Sequence, residues 1–484
     1  MLSLLLTLGL GHAADADVGG YVRVMTRPDF QGGDGKLGYW NLYGRLLNEG
    51  PWVALQLNLD LLVPDPGTDA VWSRVVAKLE GGSVWATDDG NGVLGDYRLS
   101  QLYVEAGNVL LPDVTWQVGT LWQSFGDLGL YDMRPAQIFF DTVGLSGRYR
   151  TDRAELLLGF GDSGYRLKGA EYNTVFTPGG TARVRLGSHA ELGVGGEAFF
   201  EPQVTGNRYA PHSTPDLAYE DFLRGEMVQA WLQDHPGQAI NFPDPQPTSA
   251  ASYKAIAYAG FGGLGPLVWN NLFASFRRLH PDNTVTETVD GVDYTLYVTD
   301  LTDQRYELLV GDELQLRLVP GRLDVVWAGL FGRHWDLDNT LAPSDHNRWY
   351  ASTVLRLQGY VSDTVHLLAE TSVANEVSTQ GNAYRLHVDS IFTSTDGVSD
   401  TRGLEYGDSN TRTTWQAKAG LVLNPLGPGV YVRPSLRLLY GLQYSTQNNA
   451  FGNSFVETLD QYNEFGNVER HWHHVLALEA EAWF

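Results

Sequence analysis

The chain alternates apolar and polar residues over stretches of about ten, and no stretch approaches eighteen consecutive apolar residues. In an extended strand, Val53, Leu55, Leu57, Leu59 and Leu61 share one face, while Ala54, Gln56, Asn58 and Asp60 share the other. Leu314, Leu316 and Leu318 likewise oppose Glu313, Gln315 and Arg317, and after Pro320-Gly321 the pattern resumes with Leu323, Val325 and Trp327. The last segment sets Leu476, Leu478, Ala480, Ala482 and Phe484 against Glu479, Glu481 and Trp483, and ends on an aromatic residue. A helical membrane span is excluded for want of an apolar run. Strands can face lipid only in a closed barrel, because hydrocarbon offers nothing to unpaired backbone groups. A soluble β-sandwich alternates too, but so many inward polar residues would crowd a dry core, whereas a water-filled lumen satisfies them. The expected fold is therefore all-β, a transmembrane antiparallel β-barrel.

Turn signals set the expected topology. Short turns at Glu49-Gly50-Pro51, Asn108 to Pro112, Thr151 to Arg153, Gly187 to His189, Gly263 to Pro266, Pro320-Gly321, Tyr360 to Asp363 and Asn424 to Gly429 alternate with nine long connections. Eight short and nine long connections give eighteen strands, with the short turns on the periplasmic side. Val71 to Thr87 resembles a hairpin that would make twenty strands, and is placed as an excursion within the Val63 to Asp96 connection. Gln123 to Asp141 mixes aromatic and charged residues and is expected to fold inward as a constriction. The long connection Glu201 to Ala251 holds a helical pattern at Asp221 to Asp234, with Leu223, Met227 and Trp231 on one face. The apolar run Met1 to Leu10, followed by Gly11-His12-Ala13, reads as an export signal cleaved near Ala13, leaving 14–484 as one barrel domain in the outer membrane.

Composition narrows the function. With 33 basic and 57 acidic side chains the net charge is −24, and the basic residues are scattered, which argues against a nucleic-acid partner. There is no cysteine, so disulfides and thiolate metal sites are excluded.

Several short stretches carry a specific likeness. Gly20-Tyr21-Val22-Arg23, Lys36-Leu37-Gly38 leading to Tyr43, Tyr97-Arg98, Val430 to Pro434 and Glu481 to Phe484 resemble matching stretches of the maltoporin family of sugar-specific porins. That resemblance implies an eighteen-stranded homotrimer in outer-membrane lipid, carrying oligosaccharides by passive diffusion along an aromatic slide flanked by a polar track. It implies slide positions at Tyr21, Tyr43, Tyr431 and Trp483, with Trp85 and Trp269 as further candidates. The track would comprise Arg23, Lys36, Arg98 and Asp132, with Arg433 and Arg45 alongside; Arg45 stands where the family carries a carboxylate. Strand parity supports part of this independently: Tyr21 and Arg23 share a face against Val22 and Val24, and Tyr431, Arg433, Ser435 and Arg437 share one against Val432, Pro434, Leu436 and Leu438. Aromatic faces suit the C–H faces of pyranose rings, and guanidinium and carboxylate groups suit their hydroxyls. The plain alternative for each aromatic is a membrane-interface girdle.

Other chemistry is thin. His471, His473 and His474 do not share a face and read as a solvated rim cluster rather than a metal site. Asp88 to Gly92 lacks the spacing of a calcium loop, and phosphate-loop, zinc-protease and nucleophile-elbow motifs are absent from the sequence. No cofactor is expected and no enzyme activity. Two readings compete with a sugar porin: a general or other-solute porin, and a barrel enzyme such as a lipase or deacylase, whose triad would leave no local motif.

Overall fold

Alternation along the chain becomes a sheet that closes on itself. The computed structural model describes residues 15–28, 37–38, 41–63, 70–82, 97–164, 174–202, 249–279, 284–289, 292–297, 305–336, 347–378, 410–446 and 471–484. The strands begin with β1 (Asp15–Thr26), β2 (Trp52–Leu62), β3 (Trp72–Gly82), β4 (Tyr97–Gly107), β5 (Val114–Ser124) and β6 (Gln137–Arg150). They continue as β7 (Ala154–Asp162), β8 (Phe176–Arg185), β9 (Ala190–Glu201), β10 (Ala250–Leu264), β11 (Leu267–Arg278), β12 (Thr284–Val289) and β13 (Val292–Tyr297). The last are β14 (Arg305–Val319), β15 (Leu323–Asp336), β16 (Arg348–Tyr360), β17 (Val365–Ser378), β18 (Thr411–Leu423), β19 (Ser435–Ser445) and β20 (Trp472–Trp483). All but β12 and β13 form one eighteen-stranded antiparallel sheet, which β1 closes by pairing with both β2 and β20. β12 and β13 form a separate hairpin in the connection between β11 and β14.

Period-two burial follows the sequence pattern. On β19, Ser435, Arg437 and Gln443 are buried toward the lumen while Leu436, Leu438 and Tyr440 are exposed on the outside. On β2, Leu55 and Leu57 are exposed outward. Outward rings of Tyr253, Phe276 and Tyr306 line up with centroids 6.2 and 6.1 Å apart near the long-connection end, as an interfacial girdle does. A closed eighteen-stranded barrel with this exterior is an outer-membrane protein, its short turns toward the periplasm.

Eighteen strands are present, but not the eighteen drawn from the turn signals. Glu49-Gly50-Pro51 is not a periplasmic turn. The segment before it forms no barrel strand; it carries a short 3-10 helix, Asn41–Tyr43, and lies inside the lumen with Leu37, Leu42, Leu46 and Leu47 buried. Those leucines lack period-two spacing, so no strand could put them all on one face. In compensation, 72–82 is not a loop excursion but barrel strand β3, with Val75 and Leu79 outward and Arg74, Lys78 and Glu80 inward. β2 therefore runs toward the periplasm and not away from it. Tyr431 and Arg433 also precede their strand: β19 starts at Ser435, so only Ser435 and Arg437 keep the inward parity read for the four. The export signal, Lys36, Trp85 and the helical pattern at 221–234 lie outside the described residues.

Because the chain has no native cysteine, parity can be read by labelling. Single cysteines at Asn58 and Lys78 should react with a water-soluble maleimide in membranes, and those at Leu57 and Leu79 should not. Equal labelling at 78 and 79 would return 72–82 to a loop.

Candidate solute pathway

Among the described residues, three segments enter the lumen and meet there. The first, 37–50, lies against β17 to β20: Leu37, Leu46 and Leu47 pack on Leu368, Val422, Leu439, Val475 and Ala477. Gly441 makes this approach possible, since a Cβ there would stand 2.4 Å from Leu47 Cδ1. The Tyr43 hydroxyl donates to Glu376 (2.9 Å) and accepts from Arg412 (2.6 Å), while its carbonyl accepts from Lys418 Nζ (3.0 Å) and the Ser372 hydroxyl (2.8 Å). Lys418 also pairs with Glu370 at 2.9 Å, and Arg356 Nε bonds Glu370 at 2.7 Å.

The second segment is the loop 125–136, whose Leu128, Leu130 and Tyr131 are buried against inward Phe273, Val326, Leu330 and Tyr350. The third is the turn 424–434. One buried carboxylate clasps the last two: Glu313 Oε2 accepts from the Leu130 amide (2.9 Å), and Oε1 accepts from the Tyr431 hydroxyl (2.6 Å). The Arg45 amide in turn donates to the Leu130 carbonyl at 2.7 Å, joining the first segment to the second.

A charged seam runs where these segments face β1 and β20. Arg45 reaches Glu49 (3.2 Å), Glu481 (3.1 Å) and the Tyr21 hydroxyl (3.2 Å). Arg23 pairs with Glu49, and Arg437 and Arg433 both pair with Glu481, the latter at 2.6 Å. Glu49 and Asp132 hydrogen-bond to each other across the two inserted segments. Burial pushes the Glu49 carboxyl up to about 7, with Arg23 opposing and Asp132 adding to the rise. Burial would raise Asp132 too, but Arg45 and the Glu49 hydrogen bond outweigh it and hold Asp132 below the ordinary range.

The sequence-derived site divides accordingly. Tyr21, Trp483, Arg23, Arg45, Arg433 and Asp132 come together at the seam. The Tyr21 ring lies 4.5 Å from that of Trp483, its hydroxyl donates to Glu481 at 2.7 Å, and Trp483 is 62% exposed at the rim. Tyr431 lies deeper, 6.2 Å from Trp269, whose Nε1 donates to Gln315 at 3.0 Å. Tyr43 stands apart, wholly buried in its hydrogen-bond cage. Arg98 is on β4, bonded to Glu80 at 3.4 Å and three strands around the wall from β1. Glu313 was readable from sequence only as an inward residue; its partners lie 183 and 118 positions away, which no local pattern exposes.

The inserted segments cover one side of the lumen only. On β16 to β18 the side chains of Arg356, Glu370 and Lys418 are at most 2% exposed, whereas Arg74, Arg98 and Arg148 on β3, β4 and β6 are 39, 48 and 34% exposed. Arg148 and Arg183 flank Glu155 there, the latter at 2.9 Å, and Arg74 bonds Asp60 at 2.6 Å. Water and solute thus have a charged, hydrogen-bonding wall on the β3 to β8 side, facing the covered wall across the lumen.

No protein-family model matches the sequence, and no curated protein matches it. Among solved structures, the chain is similar to the outer membrane protein OprD from Pseudomonas aeruginosa, at 8% identity over 99% of this chain and 96% of that one, with a TM-score of 0.43. It is similar to a BenF-like porin from Pseudomonas fluorescens Pf-5, at 8% identity over 97% and 98% of the two chains and a TM-score of 0.42. The outer membrane channel DcaP of Acinetobacter baumannii matches at 12% identity over 99% of each chain, with a TM-score of 0.36.

Two outcomes follow from the clasp and the seam. Replacing Glu313 by Ala leaves a buried amide without its acceptor, at about 1–3 kcal/mol, and should loosen loop and turn together, read as higher and noisier single-channel conductance. Glu49 keeps its proton to a higher pH folded than unfolded, where its ordinary value is 4.5, so its contribution is full below about 4.5 and declines as pH rises through about 7. Thermal midpoints measured from pH 5 to 8 should fall with pH in the native chain and fall less in Glu49→Gln.

Proposed function

We propose that the protein is a passive, solute-selective channel of the outer membrane, without enzymatic activity. The observation that carries this reading is the one-sided lumen: inward charges are covered on β16 to β18 but open to water on β3 to β8. A charged wall with paired guanidinium and carboxylate groups offers successive hydrogen-bonding stations, each already partnered and so weak enough to release a solute to the next.

Within that class the sugar reading is the finer proposal. It is supported by the Tyr21–Trp483 ring pair at the periplasmic mouth, where an exposed indole sits beside Arg45 and Glu481. Such a platform joins an apolar face to charged hydrogen-bonding groups, the two needs of a pyranose ring. Lys36 and Trp85 remain part of the proposed track and slide by resemblance alone.

Single-channel current block by a panel of oligosaccharides tests both levels. Saturable block is expected for a sugar channel, and Tyr21→Ala or Trp483→Ala should weaken it about 2–12-fold, from about 0.5–1.5 kcal/mol per ring contact. Arg74→Ala with Arg98→Ala should shift the reversal potential toward cations while leaving the fold intact. Conductance without saturable block by any sugar would leave the general-porin reading; absence of conductance in a folded barrel would remove the channel reading itself.

A further inference from the structure

The seam at the closing strands carries more positive charge than its own carboxylates balance. Five guanidinium groups meet there, those of Arg23, Arg27, Arg45, Arg433 and Arg437. The carboxylates paired with them are Glu49, Glu479 and Glu481, each no more than 2% exposed. Asp132, which bonds Glu49 from the lumen loop, makes the count five against four. The chain as a whole has a net charge of −24, so an excess of this sign is local. Burial, and then repulsion from Arg437, pulls the Arg433 guanidinium below its ordinary range, as a shortage of negative charge would.

Four of the five surround one small pocket. Arg23, Arg27, Arg45 and Arg437 line it together with Glu49 and Glu479; it is half-enclosed, about 180 Å³ in volume, with Leu46 against one side. Arg23 stands on β1, Arg437 on β19 and Glu479 on β20, whereas Arg45, Leu46 and Glu49 belong to the inserted segment 37–50. The pocket is thus the joint between wall and insert. Arg437 is 4% exposed; its Nη2 pairs with Glu481, but its Nε–H has no hydrogen-bond partner among the described residues. A buried donor without an acceptor is costly, and so is a buried charge without a counter-charge.

We propose that this pocket binds one small monovalent anion, chloride under ordinary ionic conditions, as a resident ion between the segment 37–50 and strands β1, β19 and β20. Guanidinium groups reaching in from separate elements can close on a spherical ion from several sides, and the Arg437 Nε–H supplies a donor not otherwise engaged. Charge selects a single negative unit, which brings five against four to balance; a divalent oxoanion would overshoot. Glu49 and Glu479 in the lining leave only part of the volume to negative charge, which favours a compact ion over an extended one. An ion held there ties the insert to the strands that close the barrel, so its binding is read as stability.

Thermal midpoints of the whole barrel in detergent, taken across mixtures of sodium chloride or bromide with sodium gluconate at one ionic strength, test this. Each halide should raise the midpoint saturably over gluconate alone. Arg437→Gln should abolish that shift, whereas Glu49→Gln, which removes a negative charge from the lining, should bring it on at lower halide concentration. Should Arg437→Gln fail to fold, bromide in crystals of the native chain gives a direct reading, with anomalous scattering expected between Arg23, Arg45 and Arg437. Equal midpoints in halide and gluconate would overturn the inference, as would bromide bound elsewhere on the barrel and not in this pocket. Scattering in the pocket with no shift in midpoint would mean an adventitious ion only, and would overturn it as well. None of these readouts involves a transported solute, so the anion site stands or falls separately from the channel reading.

Discussion

Closure of the sheet is the constraint on which everything else depends. A strand edge in hydrocarbon would leave a row of backbone donors and acceptors with nothing to bond, so the first and last strands must find each other. They do so from Tyr21 opposite Trp483 to Thr26 opposite Leu478, and the backbone of Phe484 bonds that of Gly20 in both directions, at 2.7 and 3.1 Å. Once β1 and β20 meet, parity assigns every strand residue to lipid or lumen. The lumen inherits the polar half of each alternating segment.

What the chain does with that polar interior is unequal around the barrel. Buried ion pairs are favourable only when their remaining donors and acceptors are also satisfied. The β16 to β18 wall meets that condition by drawing in 37–50, whose backbone carbonyls at Tyr43 and Gly44 accept from Lys418 while Lys418 and Arg356 share Glu370. Loop 125–136 supplies the apolar counterpart, with Leu128 fitting against Gly311, where a Cβ would stand 2.4 Å from its Cδ1. That side is a packed core. The β3 to β8 side keeps its charges in water, and function is argued from there because only solvated groups can exchange water for solute.

The sequence by itself determined the fold class and the side each alternating residue takes within its strands, because a period of two is a local property that survives into the barrel unchanged; the count of eighteen agreed, but which segments supply the strands was decided by pairing. It placed Tyr21, Arg23 and Trp483 on the inward face of adjacent strands for the same reason. Tertiary structure decided the rest. The hairpin-like stretch Val71 to Thr87 was placed as an excursion within a long connection, whereas pairing of 72–82 with both β2 and β4 makes it wall, a long-range fact no local pattern carries. The turn signal at Glu49-Gly50-Pro51 made the segment before it look like wall, whereas Leu37, Leu46 and Leu47 are buried inside the lumen. Tyr43 and Tyr431 were both legible as aromatics near the pathway, but one is sealed by Glu376 and Arg412 and the other held by Glu313, partners more than a hundred residues away that only closure brings within reach.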